Sequence, residues 1–169
     1  MQEKTIKLEN LSAPWRMSYI ATDKASRAQG CPFCLSADGH DDVERFVVKR
    51  AEFSFIILNA FPYNNFHLMV IPYKHVSDLE ELPSEVLTEM MELIVLAKRA
   101  LKKLSNPDGF NMGMNIGKAG GAGIAAHLHL HLVPRWNGDT NFMTTLGGTR
   151  VCPEELSASA EKLRKELEK

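Results

Sequence analysis

The chain has 169 residues, a length that suits one domain with a sizeable hydrophobic core. Its net charge is −1 and its apolar content is 44%, so neither duplex nucleic acid nor a membrane surface is an expected partner. No apolar run approaches the length of a membrane span, and the first residues lack the apolar segment of a signal peptide. These features predict a cytoplasmic protein.

Three segments are expected along the chain. Residues 1–30 carry little periodicity and are expected to form an N-terminal arm. Residues 31–152 are expected to form an α+β domain, and residues 153–169 have the apolar spacing of an amphipathic C-terminal helix.

The central segment contains five stretches with the composition or the alternation of β-strands. They are residues 45–50, 52–58, 67–71, 110–116 and a last strand that begins at residue 127. Between the third and fourth, apolar residues recur at helical spacing from Val86 to Leu104, after Pro83, which suits a first helical turn. These elements predict an antiparallel sheet of about five strands with one long helix packed on it.

The last strand carries His127, His129 and His131, which alternate with leucines. Period two is strand periodicity, so the three imidazoles are expected on one face and the leucines in the core. Histidine can act near neutral pH as a nucleophile, acid, base or metal ligand. An exposed strand face or a fortuitous cluster is the alternative, and it is disfavoured because half of the six histidines stand here.

Cys31 and Cys34 form a C-x-x-C pair in a chain with three cysteines. In a reducing compartment such a pair indicates redox chemistry or metal binding rather than a structural disulfide. A closed zinc site needs two further ligands, and a reduced pair that merely packs is the alternative. A thioredoxin-like role is disfavoured because no helix signal follows the pair.

A loop with four glycines in seven residues, 117–123, lies directly before the histidines. Such a loop allows backbone N–H groups to approach phosphate oxygens closely. It is not a Walker loop, because Lys118 has no following Ser or Thr in the required frame.

The alternating histidines resemble the signature of the histidine triad (HIT) superfamily of nucleotidyl hydrolases and transferases. Residues 66–75 resemble a strand of that family and its exit, and residues 115–123 resemble its glycine-rich loop. Residues 134–143 and 147–151 resemble the diadenosine tetraphosphate phosphorylase branch seen in bacteria. The resemblance extends from about Cys31 to about Arg150 and implies a HIT-like fold.

The resemblance implies an enzyme that cleaves dinucleoside polyphosphates, such as diadenosine tetraphosphate, through a covalent nucleotidyl-histidine. His129 would be the nucleophile, His131 would bond a phosphate oxygen or the leaving group, and His127 would do the same or bind zinc. Phosphorolysis by inorganic phosphate is the favoured second step. The alternatives are a HIT hydrolase, acting on dinucleoside polyphosphates or on nucleoside phosphoramidates, and a non-catalytic nucleotide-binding module. A zinc-ribbon-like nucleic-acid binder is disfavoured by the near-zero charge.

The resemblance also assigns nucleotide-binding residues. Asn59 stands where the family places an Asp or Asn that bonds the ribose, although a strand-end role is also open. The family's usual Gly-Gln-Ser/Thr before the triad is Gly123-Ile124 here, which removes a side-chain donor to the phosphates. Arg135 could balance phosphate charge. The expected nucleotide contacts are Phe55, Asn59, Asn115, Gly121, Gly123 and Trp136.

Zinc-bearing members of the family use the C-x-x-C pair, the histidine that leaves the preceding strand and the first triad histidine. Those positions are Cys31, Cys34, His75 and His127. Such a zinc would be structural, because four protein ligands leave no open position for water.

Members of this branch are usually homodimers that pair through the long helix and a strand. Met90, Met91 and Leu93 fit such an interface, although the core of a monomer would bury them equally well.

Overall fold

The computed structural model describes residues 30–117, 119–140 and 154–169. The predicted N-terminal arm, up to residue 29, and the segment 141–153 lie outside the described residues, so Cys152 and Arg150 do as well. Five strands form one antiparallel sheet in the order β1-β2-β3-β5-β4, which confirms the predicted α+β fold. The strands are β1 (Val47–Arg50), β2 (Ser54–Leu58), β3 (Leu68–Pro72), β4 (Gly109–Gly113) and β5 (Leu130–Arg135).

The described residues form the two predicted helices and one helix that was not predicted. The long helix, α2, spans Ser84–Ser105, and the C-terminal helix, α3, spans Leu156–Leu167. The unpredicted helix, α1, spans Pro32–Ala37. No helix of the described ranges is long and apolar enough to cross a membrane.

The two faces of the sheet have different environments, because successive strand residues point to opposite sides. On one face, apolar residues such as Ile56, Val70 and Leu132 pack with α2 and α3 in the larger of two hydrophobic clusters. The opposite face is called the histidine face here, and a smaller cluster lies on it. Its strand residues are Phe55, Ile57, Met69, Ile71 and His131.

α2 forms because apolar residues recur every three or four positions and bury one stripe against the sheet. It begins after Pro83 and ends at Asn106, which adopts a left-handed conformation (φ 42°, ψ 59°). Glu85 in its first turn and Lys102 and Lys103 in its last turn complement the helix dipole.

The methionines of α2 correct one expectation about a dimer. Met90 and Leu93 are buried in the core, whereas Met91 is 45% exposed. Of these three residues, only Met91 is therefore available to an interface.

α1 corrects the expectation that no helix accompanies the C-x-x-C pair. It begins at Pro32, whose fixed φ suits a first helical position, and the Ser36 hydroxyl donates to the Pro32 carbonyl (3.0 Å). A helix of six residues is less than two turns long, too short for an apolar period to register in the sequence.

The histidine strand begins later than predicted, at Leu130 instead of residue 127. β3 pairs with β5 only from Leu68 opposite Leu132 to Val70 opposite Leu130, and β3 itself ends at Pro72. The segment before Leu130 is nevertheless fixed beside the chain that leaves β3, since the Leu128 N–H donates to the Val76 carbonyl (2.6 Å). His127 and His129 remain on the side of Phe33, and Leu128 lies in the larger cluster. The predicted alternation therefore persists beyond the ladder.

Candidate active site and metal centre

The three histidines lie close together and are buried at the end of the sheet. His131 lies in β5, opposite Met69 of β3 and Gly113 of β4. His127 and His129 lie in the segment just before it. Their side chains are almost enclosed, with exposures of 0% for His127, 6% for His129 and 9% for His131. Leu128 lies in the core on the other side, as the alternation predicts.

The hydrogen bond of His129 determines which of its nitrogens can react. Its Nδ1 lies 2.8 Å from the backbone oxygen of His127. A carbonyl only accepts, so Nδ1 carries the proton and donates. In the neutral imidazole the lone pair is then on Nε2. This tautomer is the one that a nucleophile attacking through Nε2 requires.

His131 is the end of a hydrogen-bonded chain that begins at the backbone of Tyr63. The Tyr63 N–H donates to Nδ1 of His67 (3.0 Å), so neutral His67 carries its proton on Nε2. That Nε2 donates to Nδ1 of His131 (2.9 Å), which leaves the proton of His131 on its own Nε2. This Nε2 is buried and has no hydrogen-bond partner within the described part of the chain.

The protonation state of His131 follows from its surroundings. Burial, and to a lesser extent the nearby His129, lowers the pKa of His131 to about 4. His131 is therefore neutral at physiological pH and presents one unsatisfied N–H donor to the site. A donor that is buried without a partner costs free energy unless a ligand oxygen accepts from it.

Cys31, Cys34, His75 and His127 form a compact group whose potential ligand atoms all lie within 4.8 Å of one another. Ligand atoms around a tetrahedral zinc are about 3.3–3.8 Å apart. Nδ1 of His127 lies 3.3 Å from the Cys31 sulfur, and Nδ1 of His75 lies 3.2 Å from the Cys34 sulfur. The group fits the predicted ligand set.

The tautomer of His127 also suits a metal ligand. Its Nε2 donates to the Pro72 carbonyl (2.9 Å), which leaves the lone pair on Nδ1, the nitrogen that faces the two sulfurs. Metal-binding histidines commonly donate their other N–H to a carbonyl in this way. Burial lowers the pKa of His127, and burial together with the neighbouring Cys31 raises the pKa of Cys34.

Two of the expected nucleotide contacts lie near the histidines. Asn59 follows β2; its side-chain oxygen accepts from the Phe61 N–H (2.9 Å), and its amide nitrogen lies 3.3 Å from Nδ1 of His67. Phe55 lies on the histidine face but is completely buried and stacked on Tyr73. Phe55 therefore forms part of the floor beneath the site, which corrects its expected direct contact with the nucleotide.

The glycine-rich loop joins β4 to the histidine segment. Gly121 has φ +82°, a conformation that side chains rarely adopt, whereas Gly123 shows no such constraint. At Gly120, an added Cβ would lie 2.4 Å from the Ile116 carbonyl oxygen, so the loop closes on itself only with glycine there. Asn115 is half-buried at the start of the loop.

Trp136 lies away from the histidine face. It continues the alternation of Leu132 and Pro134 toward the helices, and its indole N–H donates to the Ser105 carbonyl at the end of α2 (3.1 Å). This placement gives no support to a nucleotide contact.

Arg135 is already neutralised within the chain. Its guanidinium donates through two nitrogens to the Asp139 carboxylate (2.6 and 2.8 Å), which raises the pKa of Arg135 and holds that of Asp139 well below its usual range. Arg135 and Asp139 together carry no net charge, so the pair brings no excess positive charge to a phosphate.

Two residues of the site were not assigned from the sequence. His67 bonds His131 directly. Its odd-numbered position, in step with Met69 and Ile71, is the signal that could have placed it on the histidine face. Phe33 packs against His129, with ring centres 5.1 Å apart, and no pattern in the sequence indicated this contact.

A family model described as the HIT domain matches residues 41–138, more than half of the chain. The chain is 43% identical over 157 residues to a protein of Mycobacterium tuberculosis named AP-4-A phosphorylase, covering 88% of this chain and 79% of that one. It is 29% identical over 125 residues to the adenosine 5'-monophosphoramidase HNT1 of Saccharomyces cerevisiae, covering 74% of this chain and 75% of that one.

A solved structure from Mycobacterium smegmatis, a Zn-bound histidine triad family protein, is also similar. It has a TM-score of 0.67 and 32% identity, and the alignment covers 83% of this chain and 94% of that one. The family match and the relative at 43% identity agree with the geometry of the three histidines. The chain belongs to the HIT family.

Proposed function

We propose that this protein is a dinucleoside polyphosphate phosphorylase that acts on diadenosine tetraphosphate through a nucleotidyl-histidine at His129. The observation that carries the proposal is the hydrogen bond from Nδ1 of His129 to the His127 carbonyl, which leaves the lone pair on Nε2. Similarity to the mycobacterial AP-4-A phosphorylase supports the choice of substrate and of phosphate as the acceptor.

In the first step, Nε2 of His129 attacks the α-phosphorus of the substrate. A P–N bond forms as the bond from phosphorus to the leaving oxygen breaks, and ATP leaves. The N–H of His131 at Nε2 donates to a phosphate or leaving-group oxygen, because this donor is buried and lacks a partner among the described residues. His67 keeps that proton in place by donating to the other nitrogen of His131.

In the second step, an oxygen of inorganic phosphate attacks the same phosphorus. The P–N bond breaks, ADP is released and neutral His129 is restored. The covalent intermediate divides one difficult displacement into two easier ones.

Backbone N–H groups of the glycine-rich loop, around Gly121 and Gly123, bind phosphate oxygens in this proposal, with Asn115 at the start of the loop. Asn59 bonds the ribose hydroxyls. The support for Asn59 is its contact with His67, which in turn bonds His131.

The metal centre holds one structural zinc ion in our proposal, with Cys31, Cys34, His75 and His127 as its ligands. Two sulfurs and two nitrogens are donors that zinc prefers, and four protein ligands leave no position for a reacting water. The Zn-bound relative from Mycobacterium smegmatis supports this choice of metal. A reducing cytoplasm, the proposed location, keeps the two thiols available as ligands.

Product analysis on diadenosine tetraphosphate, with and without added phosphate, tests the proposal. We expect ADP and ATP, formed only when phosphate is present. AMP and ATP in phosphate-free buffer would make the protein a hydrolase instead. Cleavage of an adenosine phosphoramidate without turnover of the tetraphosphate would move it toward the activity named for the yeast relative.

We further propose a homodimer that pairs through α2 and β4. The outer edge of β1 is covered, because Arg164 of α3 donates to the Val47 carbonyl (2.8 Å). β4 pairs only with β5 among the described strands, and its Met112 is 52% exposed. On α2, Met91 is 45% exposed. An open edge beside exposed apolar side chains favours association.

We expect sedimentation of the wild-type chain to give twice the monomer mass of 18.9 kDa. Met91→Glu should shift the mass to that of the monomer, because a carboxylate would be buried in the interface. Lys165→Glu on the exposed part of α3 is the matched control and should leave the mass unchanged. A monomeric wild-type chain would contradict the dimer.

A further inference from the structure

We propose that Phe33 is a positioning residue that holds the imidazole of His129 and couples it to the metal-ligand segment. The inference rests on the proposed role of His129 as nucleophile. It concerns a side chain that cannot form hydrogen bonds and that lies between the two cysteines of the C-x-x-C pair.

The ring of Phe33 contacts two of the three histidines. Its centre lies 5.1 Å from that of His129 in a tilted arrangement and 5.5 Å from that of His127, edge to face. Phe33 is only 5% exposed, so these contacts are made inside the protein. The His129 ring also meets His131, edge to face, at 4.9 Å. The nucleophile therefore packs against two rings.

The contact with Phe33 matters because a single hydrogen bond does not fix the orientation of the His129 imidazole. The bond from Nδ1 of His129 to the His127 carbonyl is the described polar restraint on this ring. Rotation about the bond between Cβ and the ring would break it and place a carbon where Nδ1 now lies. A packed aromatic ring opposes that rotation, because it leaves no space for the displaced edge.

Phe33 belongs to α1, and contacts at both ends of this helix fix its position. At the first end, Cys31 and Cys34 flank it, and both sulfurs lie within 3.6 Å of Nδ1 of His127. At the other end, Arg50 of β1 donates to the carbonyl of Ser36 (2.6 Å) and to that of Ala37 (3.1 Å). α1 is therefore a short rigid element between the metal group and the sheet.

Both restraints on His129 thus originate at the metal group. The carbonyl that accepts from Nδ1 of His129 belongs to His127, a proposed metal ligand. The ring that packs on the imidazole belongs to Phe33, which lies in the chain between two further proposed ligands, Cys31 and Cys34. A metal that fixes Cys31, Cys34 and His127 would therefore act on catalysis by orienting the nucleophile, although it takes no part in the reaction itself.

Three variants test the positioning role. Phe33→Leu removes the ring and keeps an apolar side chain, whereas Phe33→Tyr keeps the ring and should rescue. Leu163→Ala, at a fully buried position of α3 on the helix side of the sheet, is the control for a general loss of stability. Each variant is studied as the full-length protein, with its zinc content and its denaturant unfolding measured first.

The first readout is the imidazole region of long-range ¹H–¹⁵N correlation spectra, which reports the tautomer of each histidine without turnover. In Phe33→Leu we expect a second tautomer or exchange broadening for His129, and neither in Phe33→Tyr nor in Leu163→Ala. The second readout is steady-state kinetics. A misplaced nucleophile should lower kcat by about tenfold to hundredfold, with KM changed by less than about twofold.

Wild-type His129 signals and wild-type kcat in Phe33→Leu would overturn the proposal. So would a rise in KM alone, because it would make Phe33 a ligand contact instead. If the wild-type protein forms no nucleotidyl-histidine, the proposed function fails, and the spectra alone still decide whether Phe33 positions His129.

Discussion

Replacement of His129 by alanine is expected to abolish turnover and to leave the fold intact. The side chain is the proposed nucleophile, and loss of such a group commonly costs a factor of about 10³ to 10⁶ in kcat. The fold should survive because the backbone of this segment is held independently of the imidazole, by the Leu128 N–H bond to Val76. Phosphorolysis rates and unfolding curves of the variant measure the two effects separately.

The matched control is His40→Ala, since His40 is an exposed histidine of the loop before β1. Its rate should equal that of the wild type. Mass spectrometry after rapid quenching should detect a nucleotidyl adduct on the wild-type chain and none on His129→Ala. Retention of more than a few per cent of wild-type activity by His129→Ala would refute the covalent role.

Loss of the metal is expected to lower the free energy of unfolding, which is the second largest effect predicted for this protein. The wild-type protein should carry about one zinc ion per chain, and Cys31→Ser should remove it. A ligand present at 1,000 times its dissociation constant stabilises the folded state by about 4 kcal/mol, so the variant should lose at least that free energy of unfolding. Metal analysis and denaturant unfolding at fixed zinc concentration measure the two quantities.

Cys152→Ser is the control for this experiment, because it removes the third cysteine and none of the proposed ligands. It should keep the zinc and the wild-type stability. A metal-free preparation that is fully active and as stable as the zinc-loaded one would eliminate the structural zinc. Zinc binding should also release protons, because burial and the adjacent Cys31 raise the pKa of Cys34 above its ordinary value.

Local pattern predicted the regular elements well where they are long or strongly periodic. α2 was expected from Val86 to Leu104 and spans Ser84–Ser105, because seven buried residues at helical spacing leave no alternative. α1 was missed because its six residues are held by contacts with other elements, including the bonds from Arg50 to Ser36 and Ala37. Such contacts leave no period in the sequence.

Within the site, too, local pattern predicted some features and contacts between distant residues decided others. Alternation along one segment was enough to bring His127, His129 and His131 to one face, and the chemistry of histidine indicated their use. For two of the three histidines, the partner that selects the tautomer comes from elsewhere in the chain: the Pro72 carbonyl for His127 and His67 for His131. Which nitrogen carries the proton depends on these distances, and no residue pattern records them.

The expected nucleotide contact of Phe55 and phosphate contact of Arg135 both depend on neighbouring side chains that the sequence pattern does not reveal. Phe55 has the type and the position expected of a pocket residue, but its burial depends on the packing of Tyr73 above it. Arg135 has the charge that a phosphate needs, but Asp139, four residues later, occupies it. A residue type shows what a side chain can bind, and its neighbours determine whether it is available.

The sequence by itself therefore determined the fold class, the family and the segment that presents the histidines, and the family resemblance supplied the four expected metal ligands. The fold class and the placing of the histidines follow from periodicity, whereas the family and the expected metal ligands follow from the resemblance of several motifs along the chain. Only the tertiary structure decided the tautomers of His127 and His131, the bond from His67 to His131 and the position of Phe33 beside the nucleophile. Each of these depends on the distance between atoms that are far apart in the chain, and that distance is set by the register of the sheet and by the packing of α1 on it.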